Sequence, residues 1–464
     1  MFAVFIDQVS PRIHYVLEEL LARRLQCELK IHTVPEDFIK DNSHFKIQYV
    51  GSGQPNLPGF VVIRSDIMLE DKVNRYFDPL VSSFHLTQTG QKHLEKKWVE
   101  AKIPDSEIPR IERFLSKPFP CLFPNDSVLG FDVFAMAFYF LSRYEEYQDF
   151  KADSFGRFGF ENALESQWNY DPAPHVDIAF FHFLCEIQAE HLSPQAGIIA
   201  SFDIDIAYQF RGRSWQRQLA SALRFPGLLF ERLRVLFGSK DPFDPSVTVF
   251  PFIEDLHVEH RIFWLCSKRV KGVNRQVKRR FTPFVEAIKK ATSIGNIGLH
   301  PSFSFHPKTA WLEEKLWLEQ TALRPIEHSR QHFVHLVFPD TYRILLELGI
   351  TDDWSMGYAE NVGFRAGTAC DFKWFDLSSN TATSLTLHPF CIMDVTAKNY
   401  MELNPDAAID AGRTLKEMVF LFGGNYTFIA HNESLSERVG WEGWMPVFRS
   451  WASPKIHVSR SMGY

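Results

Sequence analysis

The sequence is poor in the features that mark disulfide scaffolds, membrane spans and nucleic-acid binders. Six cysteines occur in 464 residues, and Cys27, Cys121, Cys185, Cys266, Cys370 and Cys391 show neither CxxC pairing nor finger spacing. They read as buried, reduced thiols. No stretch reaches the roughly 18 uninterrupted apolar residues that a membrane span requires. The opening MFAVFIDQVSPRIHYVLEELLARR has no basic region followed by an apolar run, so no secretory signal is read. These absences predict a cytoplasmic protein. Glycine (24) and proline (26) are modest and aromatics reach 15%, which excludes collagen-like, disordered and coiled-coil classes. Nor is there an excess of positive charge: 50 Lys+Arg stand against 56 Asp+Glu, a formal charge of -6, which argues against nucleic acid as a partner.

What is present is a globular pattern without internal repeats. At roughly 150 residues per domain the length allows about three domains or two larger units. Short apolar runs at Phe2 to Ile6 and Phe60 to Ile63, separated by periodic segments, predict an α/β unit at the start. Val128 to Tyr147, VLGFDVFAMAFYFLSRYEEY, is apolar nearly all round and predicts a buried helix that seals this unit. Further on, apolar runs end abruptly in polar residues at GIIASFDIDIA (197–207), NIGLHPS (296–302), HFVHLVF (332–338), VGFRAGT (362–368), SLTLHPF (384–390) and YTFIAHN (426–432). Helical patterns lie between several of them. The clearest starts at Asn404 as N-cap with Pro405 at the first helical position and stops at Gly423-Gly424. Strands alternating with helices predict a parallel sheet covered by helices, doubly wound or closed as a barrel. In both, chemistry gathers at the carboxyl ends of the strands.

Asp203 and Asp205 fall at such an end. Side chains alternate with period two along a strand, so both project to one side. Two carboxylates so close cannot both stay ionised cheaply unless a cation sits with them. The bland reading is a solvated turn or a helix cap. His300, also after an apolar run and before Pro301, adds an imidazole, and the mixed donor set suits Zn²⁺ or another divalent first-row ion.

SFDID, IGLHPSF, RQHF, DWSMGY followed by GFRAGT, and HNESLS together resemble the polysaccharide deacetylases of the carbohydrate esterase type, built on a NodB-homology barrel. FYFLSRYEEY and FGRFGF resemble the end of the N-terminal domain found in a Bacteroidetes-type branch. With the patterns above, the resemblance implies an N-terminal α/β domain (1–190) and a distorted (β/α) barrel (195–455); the last residues, 456–464, are expected as a flexible tail. It implies metal-dependent hydrolysis of an N-acetyl group on a saccharide in envelope polysaccharide metabolism, and the basic segments at 211–240 and 268–280 extend the substrate to a lipid-linked glycoconjugate. Asp203 matches the catalytic base, Asp205 a metal-binding carboxylate and His300 the first metal-binding histidine. Arg330 matches the arginine that orients the base, His431 the late histidine that acts as general acid, and Asp353 with Trp354 the motif packed beside it. Arg365 resembles the arginine segment of a related branch, so which arginine touches the base stays open.

The sequence departs from the pattern at Ser304, where a second histidine is expected four residues after His300. The alternatives are His332 or His306 as the replacement ligand, Ser304 acting weakly through a water, or a site that has lost its metal. His332 ranks first because it ends a strand-like segment, whereas His306 precedes Pro307 and enters the following helix.

Two basic segments remain. Residues 211–240 carry six Arg and one Lys against one Glu, with Leu and Phe interleaved at near-helical spacing, and residues 268–280 carry seven positive charges and no acid. They predict peripheral contact with anionic lipid at the inner membrane; helices paired with acidic surfaces elsewhere on the protein are the alternative. Two rival functions also stay open. One is a metal-free glycoside hydrolase using Asp203 with Asp352 or Asp353, its carboxyl groups about 5 to 9.5 Å apart. The other is a sugar- or lipid-binding scaffold that lost catalysis with the second histidine.

Overall fold

The computed structural model describes residues 1–53, 57–101, 108–168, 172–213, 226–268, 274–304 and 306–455. The chain opens with β1 (Phe2–Ile6), β2 (Leu29–His32), β3 (Phe45–Val50) and β4 (Phe60–Ile63), which form a parallel sheet in the order β2-β1-β3-β4. All five residues of β1 are buried, as a parallel strand covered on both faces requires. A short antiparallel pair follows, β5 (Val81–Phe84) with β6 (Phe119–Leu122). Helix Val133–Leu141 is buried at every residue. Its N-cap, Asp132, accepts from the amides of Phe134 and Ala135 and from the Tyr49 hydroxyl, so the buried helix start is satisfied by a side chain.

The second sheet contains β7 (Ala196–Ile204), β8 (Glu259–Leu265), β9 (Asn296–His300), β10 (His328–Ser329), β11 (Asp352–Met356), β12 (Phe372–Asp376), β13 (Thr381–Pro389), β14 (Ile392–Met393) and β15 (Gly424–His431). Its order is β12-β13-β11-β10-β9-β8-β7-β15-β14, and every pairing is parallel except that of β12 with β13. Helices Thr282–Ile294, Pro307–Ala322, Asp340–Glu347 and Pro405–Phe422 lie between its strands. The architecture is α/β: a small parallel sheet, then a distorted (β/α) barrel open between β12 and β14. Helix Pro405–Phe422 has Asn404 as N-cap, its side chain accepting from the Ala407 amide, and ends at Gly423 with φ 91°. A Cβ there would lie 2.4 Å from the Pro194 carbonyl oxygen, so only glycine lets the chain turn into β15.

Two segments expected as strands are not. His332 to Phe338 begins with a single turn, His332–Val334, after a β10 of only two residues. Residues 362–368 form a loop in which Gly363 (φ 128°) and Gly367 (φ 63°) take conformations incompatible with a ladder. The six cysteines are free, and all but the half-buried Cys27 are buried. Among the described residues no helix is long and apolar enough to cross a membrane. The tail 456–464, and residues 214–225 and 269–273 of the two basic segments, lie outside the described residues.

The two sheets share one continuous core. Polar ties also join them: the Tyr15 hydroxyl donates to the Lys373 carbonyl at 2.6 Å, and Arg24 bridges Asp177 and Thr368 at 2.8 and 2.9 Å.

Candidate metal centre

β7 delivers the first two side chains. Asp203 pairs with His431 of β15 and with Phe263 of β8, and Asp205 follows the last residue of the strand. β9 ends on His300, where Pro301 interrupts the ladder. The imidazole Nδ1 of His300 donates to the Arg330 carbonyl at 2.6 Å. A carbonyl can only accept, so in the neutral ring this bond fixes the tautomer and leaves the Nε2 lone pair free to ligate. That Nε2 lies 3.0 Å from Asp205 Oδ1, yet Asp205 Oδ1 has no hydrogen-bond partner among the described residues. The two atoms are close without the angle of a hydrogen bond, as two ligands facing a common point would be. His332, on the turn after β10, brings Nε2 to 3.2 Å from Asp205 Oδ2. One donor atom from each of Asp205, His300 and His332 lies within 4.8 Å of the others. A carboxylate and two imidazoles, with one buried oxygen each of Asp203 and Asp205 receiving no hydrogen bond from the described residues, fit a divalent cation of the zinc type.

The second imidazole of this cluster comes from the turn after β10 rather than from position 304. Ser304 Oγ accepts from the amide of His306 at 3.1 Å. His306 itself is exposed at the start of helix Pro307–Ala322 and is not part of the cluster. The turn that carries His332 is unusual, since Phe333 and Val334 have φ of 62° and 55°. Such left-handed conformations in bulky or β-branched residues cost on the order of 1–3 kcal/mol and concentrate at functional sites.

On the other side of Asp205 stands His431, with Nε2 3.7 Å from Asp205 Oδ2 and Nδ1 2.8 Å from Asp394 Oδ1. Asp394 is fully buried, accepts from the His431 amide at 2.7 Å and from the Ser434 hydroxyl, and follows β14 directly. Sequence reasoning missed this residue; the signal was the short apolar run CIM before it. Arg330, also fully buried, places Nη1 3.7 Å from Asp203 Oδ1 and donates to Ser201 Oγ at 2.9 Å. Its guanidinium rests against the rings of Phe263 and Phe390.

Arg365 takes no part in this group. Its Nε donates to Glu146 Oε1 at 2.8 Å and its Nη1 to the Gly357 carbonyl at 3.1 Å, inside a buried network with Arg143. Asp353 packs beside Arg330 and not beside His431, accepting from Ser329 Oγ at 2.7 Å and the Ser355 amide at 2.9 Å. Trp354 stacks on His388, 4.0 Å between ring centres. Asp352 is engaged by His388 at 2.8 Å.

The electrostatics follow from burial and pairing. Burial works against the charged form of Asp205, but His332 and His300 outweigh it and hold the carboxyl well below the usual range. Burial lowers His332, and Asp205 offsets only part of this. His431 is the reverse case, for Asp394 overcomes burial and raises it well above an ordinary histidine. Arg330 is lowered by burial against the pull of Asp203 and Asp353.

Residues 2–191 match a family of unknown function, DUF7033. No curated protein matches the sequence. Among solved structures, the chain is similar to one described as a polysaccharide deacetylase from Mycobacterium smegmatis, at 14% identity and a TM-score of 0.36, covering 56% of this chain and 83% of that one. An allantoinase follows at 10% identity and 0.33, covering 63% and 90%. A polysaccharide deacetylase from Bacillus cereus is similar at 9% identity and 0.25, covering 56% and 85%. The chemistry of this chain is therefore read from its own residues.

Proposed function

We propose that the chain is a metal-dependent hydrolase that removes an N-acetyl group from a saccharide or lipid-linked glycoconjugate. The observation that supports this best is that ligands of metal type, a carboxylate with its arginine, and a histidine braced by an aspartate face one another at adjacent strand ends. Asp205, His300 and His332 would hold the cation, and two imidazoles with one carboxylate favour Zn²⁺. When bound, such an ion brings the pKa of water down toward roughly 7 and polarises a carbonyl. Asp203, held by its ion pair with Arg330, takes a proton from the attacking water. The water oxygen bonds to the acetyl carbon as the carbon-nitrogen bond breaks. His431, kept protonated by Asp394, gives its proton to the departing nitrogen, so acetic acid, which ionises to acetate, and a free amine result; Asp203 is left protonated and His431 neutral, and return of one proton through solvent restores the pair. General acid-base steps of this kind contribute roughly 10²- to 10⁴-fold.

Peripheral contact with anionic lipid belongs to the same reading. Helix Leu229–Leu236 leaves Leu229, Phe230, Leu233 and Leu236, with Phe237 beyond its end, exposed together. Arg234, paired with Glu231, and Lys240 flank this apolar face, and an apolar face with basic flanks is what an interfacial helix needs. Flotation with anionic vesicles should carry the protein, and neutral vesicles should not; equal behaviour on both eliminates the contact.

Acetate release from N-acetylated oligosaccharides tests the activity. The expected result is acetate and free amine in equal amounts, abolished by chelator and reduced at least 100-fold in Asp203→Asn. Chain cleavage insensitive to chelator would instead favour the glycoside hydrolase, and saccharide binding without turnover the scaffold.

A further inference from the structure

Within the 2–191 region, residues 153–158 form a tight loop that reaches the metal centre. Asp153 closes it: Oδ1 accepts from the amides of Phe155 and Arg157 at 2.8 and 2.9 Å, and the Asp153 amide donates to the Arg157 carbonyl at 3.0 Å. The closed loop presents Arg157, which is 4% exposed. Its guanidinium donates three ways. Nε goes to Asp153 Oδ2 at 2.7 Å, Nη1 to the Phe333 carbonyl at 2.8 Å and Nη2 to the Tyr400 hydroxyl at 3.3 Å. The Phe155 ring stacks on Phe333, centres 5.2 Å apart, and the Phe333 ring lies 4.3 Å from the His332 imidazole.

His332 depends on such outside support. His300 is braced by the Arg330 carbonyl and His431 by Asp394, whereas His332 Nδ1 has no hydrogen-bond partner among the described residues. Its orientation must come from its backbone, and that backbone continues into two left-handed, non-glycine residues. A turn of this kind persists only where its surroundings over-determine it. Arg157 bonds the carbonyl inside that turn. Through Tyr400 it also ties the turn to the segment Thr396–Tyr400, which begins two residues after Asp394.

We infer that Arg157 is a positioning residue: it fixes the turn that aims His332 at Asp205, so that the 2–191 region completes the metal centre instead of standing apart from it. The consequence for metal affinity rests on the proposed metal reading; the clamp itself does not. A planar fork serves three acceptors at fixed angles, and a lysine can serve only part of them.

The test compares the full-length protein with its Arg157→Ala and Arg157→Lys variants. Hydrogen exchange is followed without metal, and Zn²⁺ affinity is measured by competition with a chromophoric chelator. In Arg157→Ala, exchange should rise in peptides spanning 332–337 and 396–401 while 196–204 is unchanged. Zn²⁺ binding should weaken about 10-fold or more, the usual size of a lost outer contact, with partial recovery in Arg157→Lys. Unchanged exchange at 332–337, or raised exchange with unchanged Zn²⁺ affinity, overturns the inference. Should Arg157→Ala loosen 196–204 as well, the lysine variant decides by the same two criteria. A wild-type protein that binds no Zn²⁺ sinks the metal reading, and the exchange data still decide the clamp.

Discussion

His300, His332 and His431 surround one carboxylate but are held in different ways, and their variants should separate accordingly. Asp205→Ala and His300→Ala are expected to lose bound metal, because each removes a ligand whose position is fixed. His332→Ala should weaken binding, and His306→Ala should leave it unchanged, since His306 is exposed at a helix start. Metal content after gel filtration reads all four. His431→Gln and Asp394→Asn should keep the metal yet lower kcat, the first by roughly 10²- to 10⁴-fold and the second by less, as Asp394 acts through its partner. Metal loss in either would mean that the histidine is a ligand and not an acid. At this scale position was legible at strand ends: Asp203 is the penultimate residue of β7, Asp205 follows that strand, and His300 and His431 are the last residues of β9 and β15. Asp394 was not, because β14 has two residues and shows no periodicity. Arg365 entered only through the resemblance of GFRAGT to an arginine segment; its guanidinium is consumed by Glu146.

Elements carry a prediction of their own at the antiparallel edge of the barrel. His388 on β13 contacts Asp352 at the start of β11 and Asp371 just before β12, at 2.8 and 3.0 Å. Burial alone would lower His388, but the two aspartates outweigh it and raise it to about 9. A pKa raised in the folded state gives stability that is complete below the unfolded value, near 6.5, and is lost as pH rises through about 9. The Tm difference between wild type and His388→Gln should therefore be largest near pH 6 and shrink by pH 10; a constant difference across that range contradicts the triad. β7, β9, β13, β15 and helix Pro405–Phe422 were legible from apolar runs and caps. Residues 332–338 and 362–368 were not, since apolar content alone does not reveal left-handed backbone or glycine turns.

Across the whole molecule, the alternation of apolar runs with helical patterns indicated an α/β protein, and the cysteine pattern buried thiols, but neither showed how the 2–191 region meets the barrel. Those contacts are long-range in sequence: Arg365 with Glu146, Arg157 with the Phe333 carbonyl, Tyr15 with the Lys373 carbonyl. Glu146 is buried, and Arg365 with Arg143 overrides burial to hold it below its ordinary value. Arg365→Ala leaves that charge short of a partner and should cost about 3–5 kcal/mol, measured by urea unfolding of the full chain; a loss below about 1 kcal/mol, the range of surface pairs, would contradict it. The central claim, that Asp205, His300 and His332 together grip a divalent cation, is tested most directly by titrating Zn²⁺ calorimetrically into chelator-stripped protein. One tight site per chain is expected, and it should disappear in the Asp205→Ala/His300→Ala double variant. No binding, or binding that survives the double substitution, would contradict it.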